Sequence, residues 1–212
     1  MKVTIVGYGN MGSGLAKRIA AAEHQVVLTG RNLDKAQAVA TESGGGIRVL
    51  PAAEAASDAD IIIAATPYAG QVEALRELGD LDGKTVVDIS NPVKPDNSGL
   101  EVGTSTSAAE EIAKALPGAR VIKAFNTIFA PIFSEDPDFG HGTKAQVMYA
   151  GDDRTSKLKV QHLIESMGFL PVDAGPLSNA RNLEPIGMQN IWFGFTAKQG
   201  TGIVPIWLHR HY

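Results

Sequence analysis

Gly7-Tyr8-Gly9-Asn10-Met11-Gly12 has the spacing of a turn that wraps a diphosphate. In such a turn the first glycine permits the tight bend, the second lets the backbone approach the phosphates, and the third allows close contact between helix and strand. The free amides at the start of the following helix add donors and a partial positive charge. The motif follows the apolar run Val3–Val6 and precedes an Ala-rich segment, which is the strand, turn and helix context that gives these letters meaning.

The end of the second strand decides which dinucleotide fits. An NAD site carries an acid there that bonds both ribose hydroxyls, but here the chain reads Val27-Leu28-Thr29-Gly30-Arg31-Asn32, without a carboxylate. Arg31 can grip a phosphate with its planar fork and stack on adenine, Thr29 and Asn32 can donate hydrogen bonds, and Lys35 lies one helical turn on. This points to the 2′-phosphate of NADP(H), although Asn32 also suits a helix N-cap.

Thr66-Pro67-Tyr68 follows the fourth strand, beside the first, and should face the pyrophosphate and the nearer ribose. Asn91-Pro92 after strand five and Lys123-Ala124-Phe125-Asn126 after strand six should surround the nicotinamide. Asn91 and Asn126 suit a ribose or a carboxamide, and equally suit turn capping. No acid/base pair stands out: His24, His141, His162, His209 and His211 read as surface or structural residues, and no catalytic side chain or metal ligand is assigned. Hydride transfer between two bound organic cofactors needs orientation and exclusion of water more than a side-chain acid.

These residues need a scaffold of alternating strands and helices. Strands are expected near Lys2–Gly7, Gln25–Thr29, Ile47–Leu50, Asp60–Thr66, Thr85–Ser90, Arg120–Ala124, Ala145–Ala150 and Leu170–Asp173. Helices are expected at Met11–Ala22, Asn32–Glu42, Ala69–Leu78, Ser107–Leu116 and Arg154–Met167, with a long one within Ser178–Lys198. The fold class is α/β: a Rossmann-type, doubly wound, mainly parallel sheet in the order 3-2-1-4-5-6, extended by two strands and followed by a C-terminal helical segment. One NADP-binding domain is expected over 1–212, with 176–212 as helix and tail, able to serve a dimer or an acceptor pocket. Asn91–Gly103 and Ala130–Thr143 are read as loops at the ligand-binding edge, either plain connections or lids, and Gly44-Gly45-Gly46 as a turn. The aromatics of Ile191–Phe195 and Ile203–Leu208 suit a planar-ring pocket, a dimer seam or core filling.

With 44% hydrophobic and 20% charged residues the chain has the make-up of a globular protein. A net charge of −4 argues against nucleic acid or an anionic membrane as partner. The chain has no cysteine, which excludes disulfides, thiolate metal sites and a cysteine nucleophile, and agrees with a cytoplasmic setting. No apolar run approaches the roughly 18 residues of a membrane span, and the N-terminus reads as a strand rather than a signal peptide.

The chain resembles the NADPH-dependent F420 reductase family. The resemblance rests on Gly7–Gly12, Thr29–Asn32, Val121–Asn126 and above all Val172-Asp173-Ala174-Gly175-Pro176-Leu177-Ser178-Asn179-Ala180-Arg181. It implies that Gly7–Met11 hold pyrophosphate, that Thr29, Arg31, Asn32 and Lys35 read the 2′-phosphate, and that Ala124–Asn126 contact nicotinamide. It also implies a homodimer whose C-terminal segment helps close a deazaflavin pocket. The cytosolic domain of the six-transmembrane metalloreductases is similar too, and implies flavin and iron as electron acceptors. Ile128–Phe133 and the Glu135–Thr143 loop depart from the shorter connection of the deazaflavin reductases, so the acceptor is open between coenzyme F420 and a flavin. Lys94, Arg181, Lys198 and Arg210 are candidates to hold its anionic tail. Imine or hydroxyacid reduction would need a helical substrate domain, and a non-catalytic NADPH sensor is a further alternative.

Overall fold

The computed structural model describes all residues except His209, His211 and Tyr212; the expected surface roles of those two histidines lie outside the described residues. One eight-stranded sheet runs β3-β2-β1-β4-β5-β6-β7-β8. Its strands are β1 (Lys2–Val6), β2 (Gln25–Thr29), β3 (Arg48–Val49), β4 (Ile61–Ala64), β5 (Thr85–Asp88), β6 (Arg120–Ala124), β7 (Gln146–Gly151) and β8 (Leu170–Asp173). All neighbours are parallel except β6 and β7. The central strands β4 (IIIA) and β5 (TVVD) are buried throughout because helices cover both faces. Pro171 is tolerated in β8 because that strand is outermost and its missing N–H disrupts no second ladder.

The helices are α1 (Asn10–Ala21), α2 (Leu33–Ser43), α3 (Ala52–Ala55), α4 (Gln71–Arg76), α5 (Ala108–Ala115), α6 (Arg154–Ser166) and α7 (Ala180–Ile191), the last continuing into a π turn over Trp192–Thr196. Side-chain alternation along the strands sends Ile5, Ile63, Val87 and Ile122 to one core, under α1 and α6. Val6, Ile62, Val86 and Val121 go to the other, under α4 and α5. Each fully buried side chain of this size contributes about 1.5–3 kcal/mol.

Three local features differ from the expectation. The chain makes the single turn α3 after Pro51, and α4 is shorter than expected because Gly70, with φ +87°, starts it and Gly79, with φ +88°, follows it. The expected loop Ala130–Thr143 begins as a 3-10 turn, Ala130–Ser134, that buries Ile132 and Phe133 between α1 and Phe169. No α-helix returns the chain to the other sheet edge between β6 and β7, so β7 must run antiparallel. Among the described residues no helix is long and apolar enough to cross a membrane.

Candidate functional site

The glycine turn sits where β1 ends and α1 begins. Gly7 has φ +109°, and a Cβ there would lie 2.6 Å from the Ala65 carbonyl oxygen; a Cβ at Gly12 would lie 2.1 Å from that of Gly7. Only glycines let β1, the turn and β4 close this tightly. Gly9, the N-cap of α1, is open on its outer side and offers no capping side chain. The first amides of α1 therefore have no side-chain acceptor and no acid in the first turn, an arrangement that suits an anion.

Two cavities meet at this turn and share Gly9, Ala65, Thr66 and Pro67. The first, of about 530 Å³, runs toward the end of β2 past Gly7, Tyr8, Thr29, Gly30 and Arg31, and is lined on another side by Glu73 of α4 and by Glu77, its C-cap. Arg31 is exposed, and Thr29 is fully buried with its hydroxyl unpaired. Asn32 and Lys35 lie beyond the cavity at the start of α2, where the Asn32 side chain accepts from the Lys35 N–H at 2.9 Å. The N-cap role of Asn32 is thus present.

The second cavity, of about 440 Å³, runs toward the ends of β5 and β6. Asn10, Met11, Tyr68, Asn91 and Asn126 line it, with Ile89, Ser90, Val93, Ile128 and Phe129. Helix α7 and its π turn supply Gly187, Asn190, Ile191 and Phe195, and Phe195 stands edge-on to Phe129 with ring centroids 5.7 Å apart. Burial, and then the carboxylates of Glu111, Glu184, Glu101 and Asp88, push the Tyr68 hydroxyl above its ordinary pKa, so it stays protonated.

Asn91 and Asn126 hold each other in fixed orientations. Asn91 donates to the main-chain carbonyl of Asn126 at 2.7 Å, and Asn126 donates to Asn91 Oδ1 at 2.9 Å and to the Leu183 carbonyl at 2.8 Å. Carbonyls only accept, so both amide nitrogens must face inward. Asn126 Oδ1 is thereby left as an acceptor, buried and unpaired, as are the hydroxyls of Thr66, Ser90 and Thr127. Four orphaned polar atoms on residues lining one cavity is the pattern of a site awaiting a polar ligand.

Pro92 and Ala124, expected at the nicotinamide end, do not line either cavity. Ala124 is the last residue of β6 and its methyl points into the core; Pro92 is buried in the turn after β5. Phe125, with φ +61°, swings the chain round so that Asn126 reaches the cavity instead. Lys123 is also out of reach. Its ammonium, with no exposure, bonds Asp88 at 2.7 Å, Glu184 of α7 at 2.9 Å and the Ser90 carbonyl. Asp88 further accepts from Gln71 and the Ser90 N–H, and Glu184 from the first two amides of α5. This triad fastens β5, β6, α5 and α7 together behind the cavity.

Arg181 is engaged too, forking onto Glu110 at 2.9 and 2.6 Å, which leaves Lys94, Lys198 and Arg210 as the exposed cations among the four considered. His24 bonds Ser166 at the opposite sheet edge, next to His162, and His141 is exposed in a turn. The signal for α7 was weak: Glu184 and Asn190 stand within an otherwise apolar helical face, and only packing shows what they meet.

A glycine turn at the sheet's switch point, an arginine after a β2 end that carries no acid and a second, largely apolar cavity fit an NADP-dependent oxidoreductase of the Rossmann type. Residues 2–92 match the family model described as NADP oxidoreductase, coenzyme F420-dependent. The F420-dependent NADP reductase of Methanothermobacter marburgensis is 31% identical over 88% of this chain and 89% of its own length. The chain belongs to this family of F420-dependent NADP oxidoreductases. It is also 32% identical over 89% of its length to the rat (Rattus norvegicus) metalloreductase STEAP3, but spans only 36% of that protein. A solved Arthrobacter sp. FB24 structure, presented as a candidate F420-dependent NADP-reductase, superposes with a TM-score of 0.82 at 27% identity, over 95% of this chain and 96% of its own.

Proposed function

We propose that the protein exchanges hydride between NADP(H), bound across both cavities, and the deazaflavin coenzyme F420 seated in the second. The observation that carries this reading is the continuity of a cavity that joins the glycine turn to Arg31 with a second, largely apolar one through Gly9 and Thr66. The dinucleotide supplies the hydride, and the chain's own residues bind, orient and keep water away. Turn amides at Gly9–Met11 hold the diphosphate. Arg31 holds the 2′-phosphate from beyond a carboxylate-free β2, while Glu73 and Glu77 suit the exocyclic amine of adenine.

Asn126 Oδ1, fixed as an acceptor, suits the N–H of the carboxamide, with Thr66, Ser90 and Thr127 as further partners for polar groups. Met11, Ile89, Ile128, Phe129, Ile191 and Phe195 give the acceptor apolar walls. A ring that takes hydride directly needs no side-chain acid, and among the described residues no carboxylate or histidine lines this cavity. The Methanothermobacter relative, similar over nearly its whole length, supports the deazaflavin. The match to STEAP3 gives flavin or ferric reduction as the second reading. Steady-state NADPH oxidation with F420, FMN, FAD, quinones and ferric chelates decides between them: turnover with F420 far above the others is expected, and turnover only with flavin and ferric chelate contradicts the proposal. NADPH binding without oxidation by any acceptor would indicate a sensor.

A further inference from the structure

We propose that the buried cluster of Lys123, Asp88 and Glu184, through the one net negative charge it carries, makes the second cavity favour the oxidised, cationic nicotinamide over the reduced, neutral one. The inference rests on the reading of that cavity as the nicotinamide site. All three side chains are almost wholly buried, so solvent ions screen them little. Geometry fixes their protonation. One Asp88 oxygen accepts from the Gln71 amide and the Ser90 N–H, the other from Lys123. One Glu184 oxygen accepts from the Ala108 N–H, the other from the Ala109 N–H and Lys123. Every carboxyl oxygen thus faces groups that only donate, so a proton on either acid would have no acceptor and both are carboxylates. Two anions and one cation leave a single negative charge. The amides at the start of α5 are dipoles whose effect fades within a turn, whereas that of the charge reaches further.

The cluster lies one residue layer behind the cavity. Ser90 and Asn126 line the cavity; Lys123 and Asp88 bond the main chain of Ser90, and Asn126 bonds the carbonyl of Leu183, which adjoins Glu184. Among the described residues no charged side chain lines the cavity itself, so no closer charge offsets the cluster. Tyr68, in the cavity wall, reports the sign: after burial, the carboxylates of Glu111, Glu184, Glu101 and Asp88 hold its hydroxyl above the ordinary pKa. In hydride transfer a C–H bond of NADPH breaks, one forms at the acceptor's reactive carbon, and two electrons leave with the proton, so the neutral dihydronicotinamide becomes a cation. With the nicotinamide against Asn126 and Ser90 and the acceptor beyond it, negative charge moves outward, away from the cluster. The cluster therefore draws the exchange toward NADP+ and a reduced acceptor. One unit of charge a residue layer away, in an effective dielectric of about 20, shifts such an equilibrium by roughly tenfold.

Calorimetric Kd values for NADP+, NADPH and 2′,5′-ADP on the full chain, with no electron acceptor present, separate this effect from contacts at the adenosine end, which all three ligands share. Wild type should bind NADP+ tighter than NADPH. Glu184→Gln and Asp88→Asn make the cluster neutral from two different elements, α7 and β5. Each should cut the preference for NADP+ about tenfold, raising the midpoint potential of the bound couple by about 30 mV, and leave 2′,5′-ADP affinity within about twofold. If neither NADP+ nor NADPH binds, the cofactor reading itself fails. If both bind but wild type prefers NADPH, or the preference for NADP+ survives in both variants, the cluster is a clamp without a redox role; the inference is then overturned while the cofactor reading stands. Variants that lose affinity for both forms in equal proportion give that same overturning result. Should both variants fail to fold, shown by loss of 2′,5′-ADP binding, the wild-type ratio alone decides.

Discussion

Replacing Lys123 with methionine removes the only cation of the buried triad and leaves Asp88 and Glu184 facing each other with no exposure to speak of. Each carboxylate keeps two donors, from Gln71 and the Ser90 amide for Asp88 and from the Ala108 and Ala109 amides for Glu184, so neither is wholly abandoned. Removing one partner of such a buried set costs about 3–5 kcal/mol, because the remaining charge is uncompensated. At about 2–4 °C per kcal/mol for a chain of this size, the thermal midpoint should fall by about 6–20 °C. Adding Glu184→Gln removes one stranded charge, so the double variant should be less destabilised than the sum of the two single ones. Circular dichroism melts of wild type, the two single variants and the double measure this directly. A Lys123→Met protein within about 1 kcal/mol of wild type, or strictly additive losses, would refute the view that the triad clamps β5, β6, α5 and α7 behind the cavity.

Arg31→Ala should weaken NADPH by about 1.5–3 kcal/mol, roughly 10–150-fold, and leave NADH nearly unchanged; equal losses by fluorescence titration would make Arg31 a support of the fold. Gly187→Ala should reverse the usual sign of such a change. Alanine within a helix ordinarily stabilises by about 0.5–1 kcal/mol over glycine. Here the new Cβ meets Asn91 Oδ1 at 2.5 Å and breaks its pairing with Asn126, so a lower melting midpoint and weaker NADPH binding are expected, and a more stable, fully active variant contradicts it. Hydrogen bonding from Arg181, against an opposing effect of burial, holds Glu110 below its ordinary carboxylate pKa. The stability from this pair is therefore full above the unfolded value and is lost as pH falls through the folded one. The stability gap between wild type and Glu110→Gln, read from urea melts, should be constant near neutrality and shrink on acidification below about pH 4.5; a gap that widens there has the wrong sign.

The scaffold was legible because period and punctuation agreed: β2, β6 and β8 span the expected Gln25–Thr29, Arg120–Ala124 and Leu170–Asp173, and the glycine turn falls between β1 and α1. What escaped needed long-range information. One helical turn after Pro51 has no periodicity to read, and Ile132 and Phe133 look like loop residues until α1 is there to receive them. Lys123 adjoins Asn126 in sequence but ends in the core, because Asp88 and Glu184 arrive from other elements. Arg181 resembled a free ligand-binding cation, although the Ser107-x-x-Glu110 capping pattern already marked Glu110 as an oriented carboxylate that could receive it. Asn91 and Asn126 were visible as candidates from the outset, but which amide atom each presents depends on the Leu183 and Asn126 carbonyls.

Direct hydride exchange between NADP(H) and a deazaflavin in the second cavity is tested most directly with NADPH deuterated on one face of its nicotinamide ring. Direct transfer between stacked rings in a largely apolar cavity predicts that the label arrives on the reactive carbon of the deazaflavin, from one face only, without exchange into water. Label lost wholly to solvent, or activity confined to ferric chelates through bound flavin, would contradict it.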